Sequence, residues 1–184
     1  ADAVIVVGHE GGGHLGRSDT GTIVLTPKVV DSVSIPVVAS GGIVDGRGLM
    51  AGLALGAEGI EMGTRFIATK ECVHAHPVYK QAILDADENA TVVIKRSLGA
   101  PARAIKNSWT DKILELEEKE VGYEGLKDYI SGRANRNYIY DGKADLGFGW
   151  AGQGALGIQD LPTVQELIDR MMIEAEEVKN KWSM

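Results

Sequence analysis

The sequence carries one cysteine, Cys72, and only two phenylalanines among its 184 residues. A single thiol cannot form an internal disulfide, which agrees with a reducing, cytoplasmic setting. Long apolar runs are missing as well. No stretch approaches the ~20 consecutive apolar residues of a membrane-spanning helix. Basic charge is in short supply: 19 Lys and Arg stand against 26 Asp and Glu, for a net charge of −7. A duplex-binding surface needs a basic stripe, and none is visible. The expected partners are small molecules or proteins, with no nucleic acid and no membrane. Any anionic ligand has to be held by local donors, because the overall field repels it.

What is plentiful is glycine. Its 24 residues are about twice the ordinary share of ~7%. They follow no three-residue period, so collagen is excluded. A hydrophobic content of 44% excludes intrinsic disorder. Fourteen of the 24 glycines lie between Gly8 and Gly63, where the chain alternates strand and helix patterns. The chain opens directly on an apolar run, without an initiator methionine or a basic leader. We read it as the C-terminal part of something longer.

Ala3 to Val7 is short, apolar and β-branched, the pattern of a strand buried on both faces. A glycine-rich loop runs from Gly8 to Gly21. Thr26-Pro27 reads as the start of a helix, with threonine as N-cap and proline at the first position; Val29, Val30 and Val33 give its apolar face. Ile35 to Ala39 is the next strand, ended by Ser40-Gly41-Gly42. Asp45 caps a helix to about Leu55, with Leu49, Met50, Leu53 and Ala54 inward and Gly56 as its stop. Gly59 to Gly63 is a third, shorter strand. Three βα units at this spacing predict parallel strands with helical crossovers.

Beyond Thr64 the pattern changes. His76-Pro77 opens a helix to about Ala86, with Val78, Tyr79, Ala82 and Ile83 on its apolar side. Thr91 to Ile94 is extended. Ala102, Ile105, Trp109, Ile113 and Leu116 recur at helical spacing, so Ala102 to Lys119 reads as helix. The acidic run from Glu115 to Glu120 is a solvated face. Thr163-Val164-Gln165-Glu166 fits a capping box. The helix it opens has Val164, Leu167, Ile168, Met171, Met172, Ala175, Val178 and Trp182 on one face. This half reads as a mostly helical appendage.

Gly11-Gly12-Gly13-His14-Leu15-Gly16 matches G-x-G-x-x-G. The dinucleotide reading requires a helix to open at the last glycine, and a turn sequence follows instead. The glycines better serve to let the backbone pass close to a flat ligand and present His14. His14 follows a buried strand, where α/β sheets bind ligands. It could serve as general base or as hydrogen-bond donor; an ordinary surface-loop histidine is the equal alternative. Ser40-Gly41-Gly42 and Gly63-Thr64 end successive strands. Each alone could be a plain turn. Together they offer backbone N–H groups and a hydroxyl in the manner of a barrel's phosphate site. His9, Glu10 and His14, and separately His74 and His76, are close in sequence. The triple glycine argues against a metal-binding helix, so no metal is expected. His76 is expected to cap a helix, and Cys72 to be a buried or half-buried thiol.

Gly8-His9-Glu10-Gly11-Gly12-Gly13-His14-Leu15-Gly16 resembles the family motif G-x-E-A-G-G-H-x-G, with Gly11 where the family usually has alanine. Ala39-Ser40-Gly41-Gly42-Ile43, Asp45-Gly46-Arg47-Gly48, Leu55-Gly56-Ala57-Glu58-Gly59 and Met62-Gly63-Thr64-Arg65-Phe66 follow in family order. Together they resemble the nitronate monooxygenase (2-nitropropane dioxygenase) family, which includes the FMN-dependent enoyl-acyl-carrier-protein reductases. The resemblance implies an α/β chain holding the last three βα units of a TIM-type (β/α)8 barrel, followed by a mostly helical domain. The implied division is residues 1–70 for the barrel part, 71–160 for the helical domain, and 161–184 for a closing amphipathic helix packing on the barrel. It implies FMN, with its phosphate held by Ser40, Gly41, Gly42, Gly63 and Thr64. Gly12 and Gly13 would lie beside the flavin and His14 would act in the active site.

Two activities follow from the resemblance. One is oxidation of an alkyl nitronate with O₂. The other is reduction of an enoyl thioester with NAD(P)H as co-substrate. Ala75 to Lys80, Arg103 to Asn107 and Ala151-Gly152-Gln153 look more like the reductases, whereas Asp145-Leu146-Gly147 and Trp150 look more like the monooxygenases. A third reading is a non-catalytic fragment or subunit needing the missing N-terminal half of the barrel. A homodimer is among the oligomeric states left open.

Overall fold

The computed structural model describes residues 1–182. The first third is a three-stranded parallel sheet in the order β1-β3-β4, formed by Val4–Val7, Val37–Ser40 and Gly59–Glu61. Each strand leads into a helix: α1 (Thr22–Val30), α2 (Gly46–Ala54) and the single turn α3 (Thr64–Ile67). The sheet is open. Among the described residues no strand pairs with the outer edge of β1 or of β4. Ile5 is accordingly 56% exposed, against the expectation of a strand buried on both faces.

Helix α1 begins four residues before the expected Thr26-Pro27 start. Its first N–H, from Thr22, donates to both oxygens of Glu10 (2.9 and 3.1 Å). A carboxylate twelve residues upstream thus caps the helix, a signal local sequence cannot carry. Pro27 falls inside the helix at the cost of one backbone bond. The buried positions are Thr22 and Thr26, while Ile23 and Val24 are exposed; Val29 and Val30 are half-buried and Val33 is exposed.

Asp45 caps α2 as expected, accepting from Gly48 N–H (2.9 Å), and Gly56 ends it at φ +90°. The inward face differs from the expected one. Gly46 and Gly52 are buried, Leu49 and Met50 are half-buried, and Leu53 and Ala54 are exposed. A Cβ on Gly46 would stand 2.4 Å from Met171 O, so glycine is what lets α8 (Val164–Trp182) lie against α2. Gly46 N–H also donates to Glu174 (2.8 Å). The capping box holds: Thr163 N–H donates to Glu166 Oε2 (2.7 Å) and Glu166 N–H to Thr163 Oγ1 (3.1 Å). The buried stripe of α8 is narrower than expected, namely Leu167, Met171 and Ala175. Ile168, Met172 and Trp182 are exposed. Residues 183–184 of the expected closing segment lie outside the described residues.

The middle of the chain sets a second sheet among the expected helices, which corrects the helical reading of Ala102–Ile105. Here β2 (Gly13–His14), β6 (Ala102–Ile105) and β5 (Thr91–Ile94) form an antiparallel sheet in the order β2-β6-β5. Ala102–Ile105 is therefore strand rather than the first turn of a helix. All four of its residues are buried, and a strand buried on both faces shows no alternation to read. Helix α5 (Ser108–Glu118) starts only after Asn107, which caps it in a reciprocal box with Thr110. The remaining helices are α4 (Pro77–Leu84), α6 (Gly122–Leu126) and α7 (Gly132–Ile139). His76 caps α4 through Val78 N–H. Within α4 the buried residues are Tyr79 and Ile83, and Val78 is exposed.

Two apolar clusters hold this half. Tyr79, Ile83, Tyr138 and Ile158 form one; Ile94, Ile113, Leu126 and Phe148 form the other. Side chains of this size each contribute about 1.5–3 kcal/mol on burial. Cys72 is half-buried and free.

Candidate functional site

The two sheets meet at one cleft of about 180 Å³. The parallel sheet supplies its floor: Val7, the Ser40–Val44 turn, and the Glu61–Thr64 turn. The other wall is Gly11, Gly12, His14, Trp150 and Gly152. Of the expected site residues, Gly12, His14, Ser40, Gly41, Gly42, Gly63 and Thr64 line this cleft. Gly13 does not; it pairs with Arg103 in the second sheet at φ +73°. Pockets that enclose a drug-sized ligand hold ~300–1,000 Å³. This cleft is smaller, of a size to grip one end of such a ligand.

The floor is rich in unpaired donors. Gly41 and Gly42 both have positive φ, +104° and +77°. Among the described residues, the backbone N–H groups of Gly41, Gly42, Gly63 and Thr64 donate to no protein acceptor. Successive free N–H groups at a turn form an anion-binding concavity. The Thr64 hydroxyl accepts from Gly152 N–H (2.9 Å) and so ties the floor to the opposite wall. Ser40 Oγ donates to Glu61 Oε2. The free donors of the first turn are therefore its amides rather than its hydroxyl. Glu61 was missed in the sequence, where a strand-end carboxylate has no distinguishing pattern.

The glycine loop is held by two charged side chains. Glu10 takes the start of α1, as described, and its backbone carbonyl accepts from Gln153 N–H (2.8 Å). Arg103, 3% exposed, donates to His9 O (3.0 Å), His9 Nε2 (2.9 Å) and Thr91 Oγ1 (3.1 Å). His9 Nδ1 then sits 3.2 Å from Asp19. At Gly12 the loop touches the chain near Trp150: a Cβ there would stand 2.6 Å from Gly152 N.

His14 projects from β2 beside Trp150, with ring centroids 5.7 Å apart. Its Nε2 lies 2.8 Å from Lys95 Nζ, and Lys95 also stands over the Trp150 ring at 5.5 Å. Burial, and next the Lys95 charge, hold the His14 pKa below its ordinary value. Lys95 carries no sequence signal, since a Lys95-Arg96 pair after the run Thr91–Ile94 looks like the solvated end of a strand. No group of three or more His, Cys, Asp or Glu side chains among the described residues could hold a metal ion. No described helix is long and apolar enough to cross a membrane.

A family model described as nitronate monooxygenase matches residues 1–174. Among curated proteins, a probable nitronate monooxygenase of Staphylococcus saprophyticus is 37% identical over 98% of this chain and 52% of its own length. One of Bacillus subtilis is 32% identical over 94% of this chain and 51% of its own. Among solved structures, FabK from Thermotoga maritima superposes at a TM-score of 0.90 with 40% identity, over 98% of this chain and 56% of that one. A nitroalkane oxidase from Streptomyces ansochromogenes superposes at 0.78 with 31% identity, over 100% of this chain and 54% of that one. The chain thus spans about half the length of the curated relatives it matches. It belongs to the nitronate monooxygenase family.

Proposed function

We propose that this chain carries the phosphate end of an FMN site in a flavin-dependent oxidoreductase that oxidises alkyl nitronates with O₂. The observation that supports it most is the set of unpaired amides at Gly41, Gly42, Gly63 and Thr64 on the cleft floor. They suit a phosphate in an acidic chain because they add no charge that must be buried. The open parallel sheet is then the last three βα units of a TIM-type barrel, whose strand ends carry such sites. FMN, when bound, supplies the electron transfer from nitronate and the reaction with O₂. The protein's part is to hold the phosphate on the amides, set Gly12 backbone against the flavin, and orient substrate with His14.

A second reading, reduction of an enoyl thioester with NAD(P)H, is supported by the closer superposition on FabK. It uses the same floor and the same His14.

The test begins with protein expressed from its complete gene. FMN should bind with yellow absorbance near one flavin per chain, and riboflavin should bind at least tenfold more weakly. No flavin binding would refute both enzyme readings; equal affinity for riboflavin would refute the phosphate grip. With flavin bound, nitronate-dependent O₂ uptake supports the first reading. Enoyl-thioester-dependent NAD(P)H oxidation in its place overturns it in favour of the second. His14→Ala should retain flavin and lose turnover.

A further inference from the structure

An ammonium group has donors only. The 2.8 Å contact between Lys95 Nζ and His14 Nε2 therefore uses the Nε2 lone pair, and the ring proton sits on Nδ1. We propose that Lys95 is a positioning residue that holds His14 neutral in its Nδ1–H form, so that His14 offers a ligand a hydrogen-bond donor and not a base. This rests on the reading of His14 as the working imidazole of the cleft.

The backbone shows why Lys95 is aimed this way. Its φ is +63°, a conformation uncommon for a residue with a side chain. The turn is held by Glu117 on α5. That carboxylate accepts from Lys95 N–H (2.8 Å), Ser97 N–H (2.9 Å) and Ser97 Oγ (2.8 Å). Lysines are rarely this buried, yet Lys95 is 9% exposed. Its Nζ stands over the Trp150 ring and ends on His14 rather than in solvent. The residue thus bridges the end of β5 to β2 across Ala102, which pairs with Ile94 on one side and His14 on the other.

Other charges surround the pair without displacing Lys95. Glu117 approaches its backbone from α5. Arg103 on β6 is turned onto His9. Arg96 is paired with Asp19 (3.0 Å). Glu61 reaches the cleft from β4 and is engaged by Ser40. Protonating His14 would set two cations 2.8 Å apart, so the contact itself disfavours imidazolium. The chemical consequence is directional. A Nδ1–H donor suits an oxygen that already bears negative charge, or gains it during reaction. With its lone pair occupied, the same ring cannot remove a proton from a neutral substrate.

The experiment is nitrogen-resolved NMR of the imidazole rings in the whole protein, with His14→Gln used to identify the His14 signals. In the wild type, His14 should show the Nδ1–H pattern at neutral pH and titrate below an ordinary histidine. In Lys95→Met its titration should move up and the two tautomers should mix, while His9, His74 and His76 stay unchanged. Lys95→Arg, which keeps a donor and a charge, should preserve the wild-type pattern. A purely structural lysine would move none of these signals. A wild-type Nε2–H pattern, or an unchanged His14 titration in Lys95→Met, overturns the proposal. If Lys95→Met fails to fold, the wild-type tautomer and Lys95→Arg still decide. These readouts need no flavin and no turnover, so an absent activity would count against the proposed function alone.

Discussion

The two sheets are built on opposite principles. In the parallel sheet, the strands end in glycine turns, and their unpaired amides face the cleft beside the engaged Glu61 carboxylate. In the antiparallel sheet, short strands carry functional side chains, and what faces the cleft is His14 with Lys95 behind it. The first surface presents fixed dipoles that any phosphate could use. The second presents groups whose protonation is set by neighbours. Under the proposed function such a cleft divides the work: one wall binds phosphate and the other, with His14, meets the substrate. The division depends on the two sheets being held in register, to which the Gly12–Gly152 crossing and the Gly152–Thr64 bond contribute.

The strongest way to break the arrangement is at the crossing of the glycine loop and the Trp150 segment. Gly12→Ala would place a methyl 2.6 Å from Gly152 N, against backbone that cannot yield locally. The expected cost is about 3 kcal/mol, measured as a lower denaturant midpoint. Gly63→Ala is the contrast. Its Cβ would have nothing nearer than Glu61 Oε1 at 4.0 Å, and its stability should stay within about 0.5 kcal/mol of wild type. Equal losses in the two variants would show that the sheets are not held at that crossing.

Arg103→Ala should come next. It removes charge-assisted bonds to His9 O and to Thr91 and leaves a half-buried carbonyl short of a donor. Such bonds are each worth about 1.5–3 kcal/mol. The expected loss is about 2–3 kcal/mol, read by thermal denaturation. The same variant should loosen the glycine loop, seen as faster amide exchange from His9 to His14 with β3 and β4 unchanged. Uniform exchange across both sheets would argue that Arg103 merely stabilises the whole chain.

The same contrast explains what could be read in the sequence. The parallel half was legible because its signals are local: β-branched runs, Asp45 three residues before the amide it caps, Gly56 at positive φ. The turns at Ser40–Gly42 and Gly63–Thr64 were legible for the same reason, and the structure places them on one floor. The antiparallel half was legible only in part, at the extended run Thr91–Ile94 and at His14. Ala102 and Ile105 fit a helical period as well as a strand, and their strand state is decided by partners β2 and β5 ninety and ten residues upstream (roughly) in the chain. The start of α1 was misread because its cap, Glu10, lies beyond any local window. Lys95 carries no motif; its meaning comes from Glu117, Trp150 and His14, which only the fold assembles.

The smallest expected effect tests the legible half. Asp45 caps α2 at the mouth of the first glycine turn. Burial alone would raise its pKa, but hydrogen bonds from Gly48 N–H and Arg47 outweigh that and hold it below the ordinary carboxylate value. A depressed folded-state pKa means that the carboxylate adds stability above its unfolded pKa. That contribution is lost as the pH falls through the folded value. Asp45→Asn keeps an acceptor for the Gly48 N–H and removes only the charge. At neutral pH it should cost less than about 1 kcal/mol. The gap between wild type and variant should close as the solution is acidified through the carboxylate range. Asp45→Ala, which removes the cap, should cost about 1 kcal/mol and keep part of that deficit in acid. If Asn and Ala behave alike at every pH, the charge is what matters at this turn. The floor of the cleft would then be organised by electrostatics and not by the hydrogen bond that holds its helix.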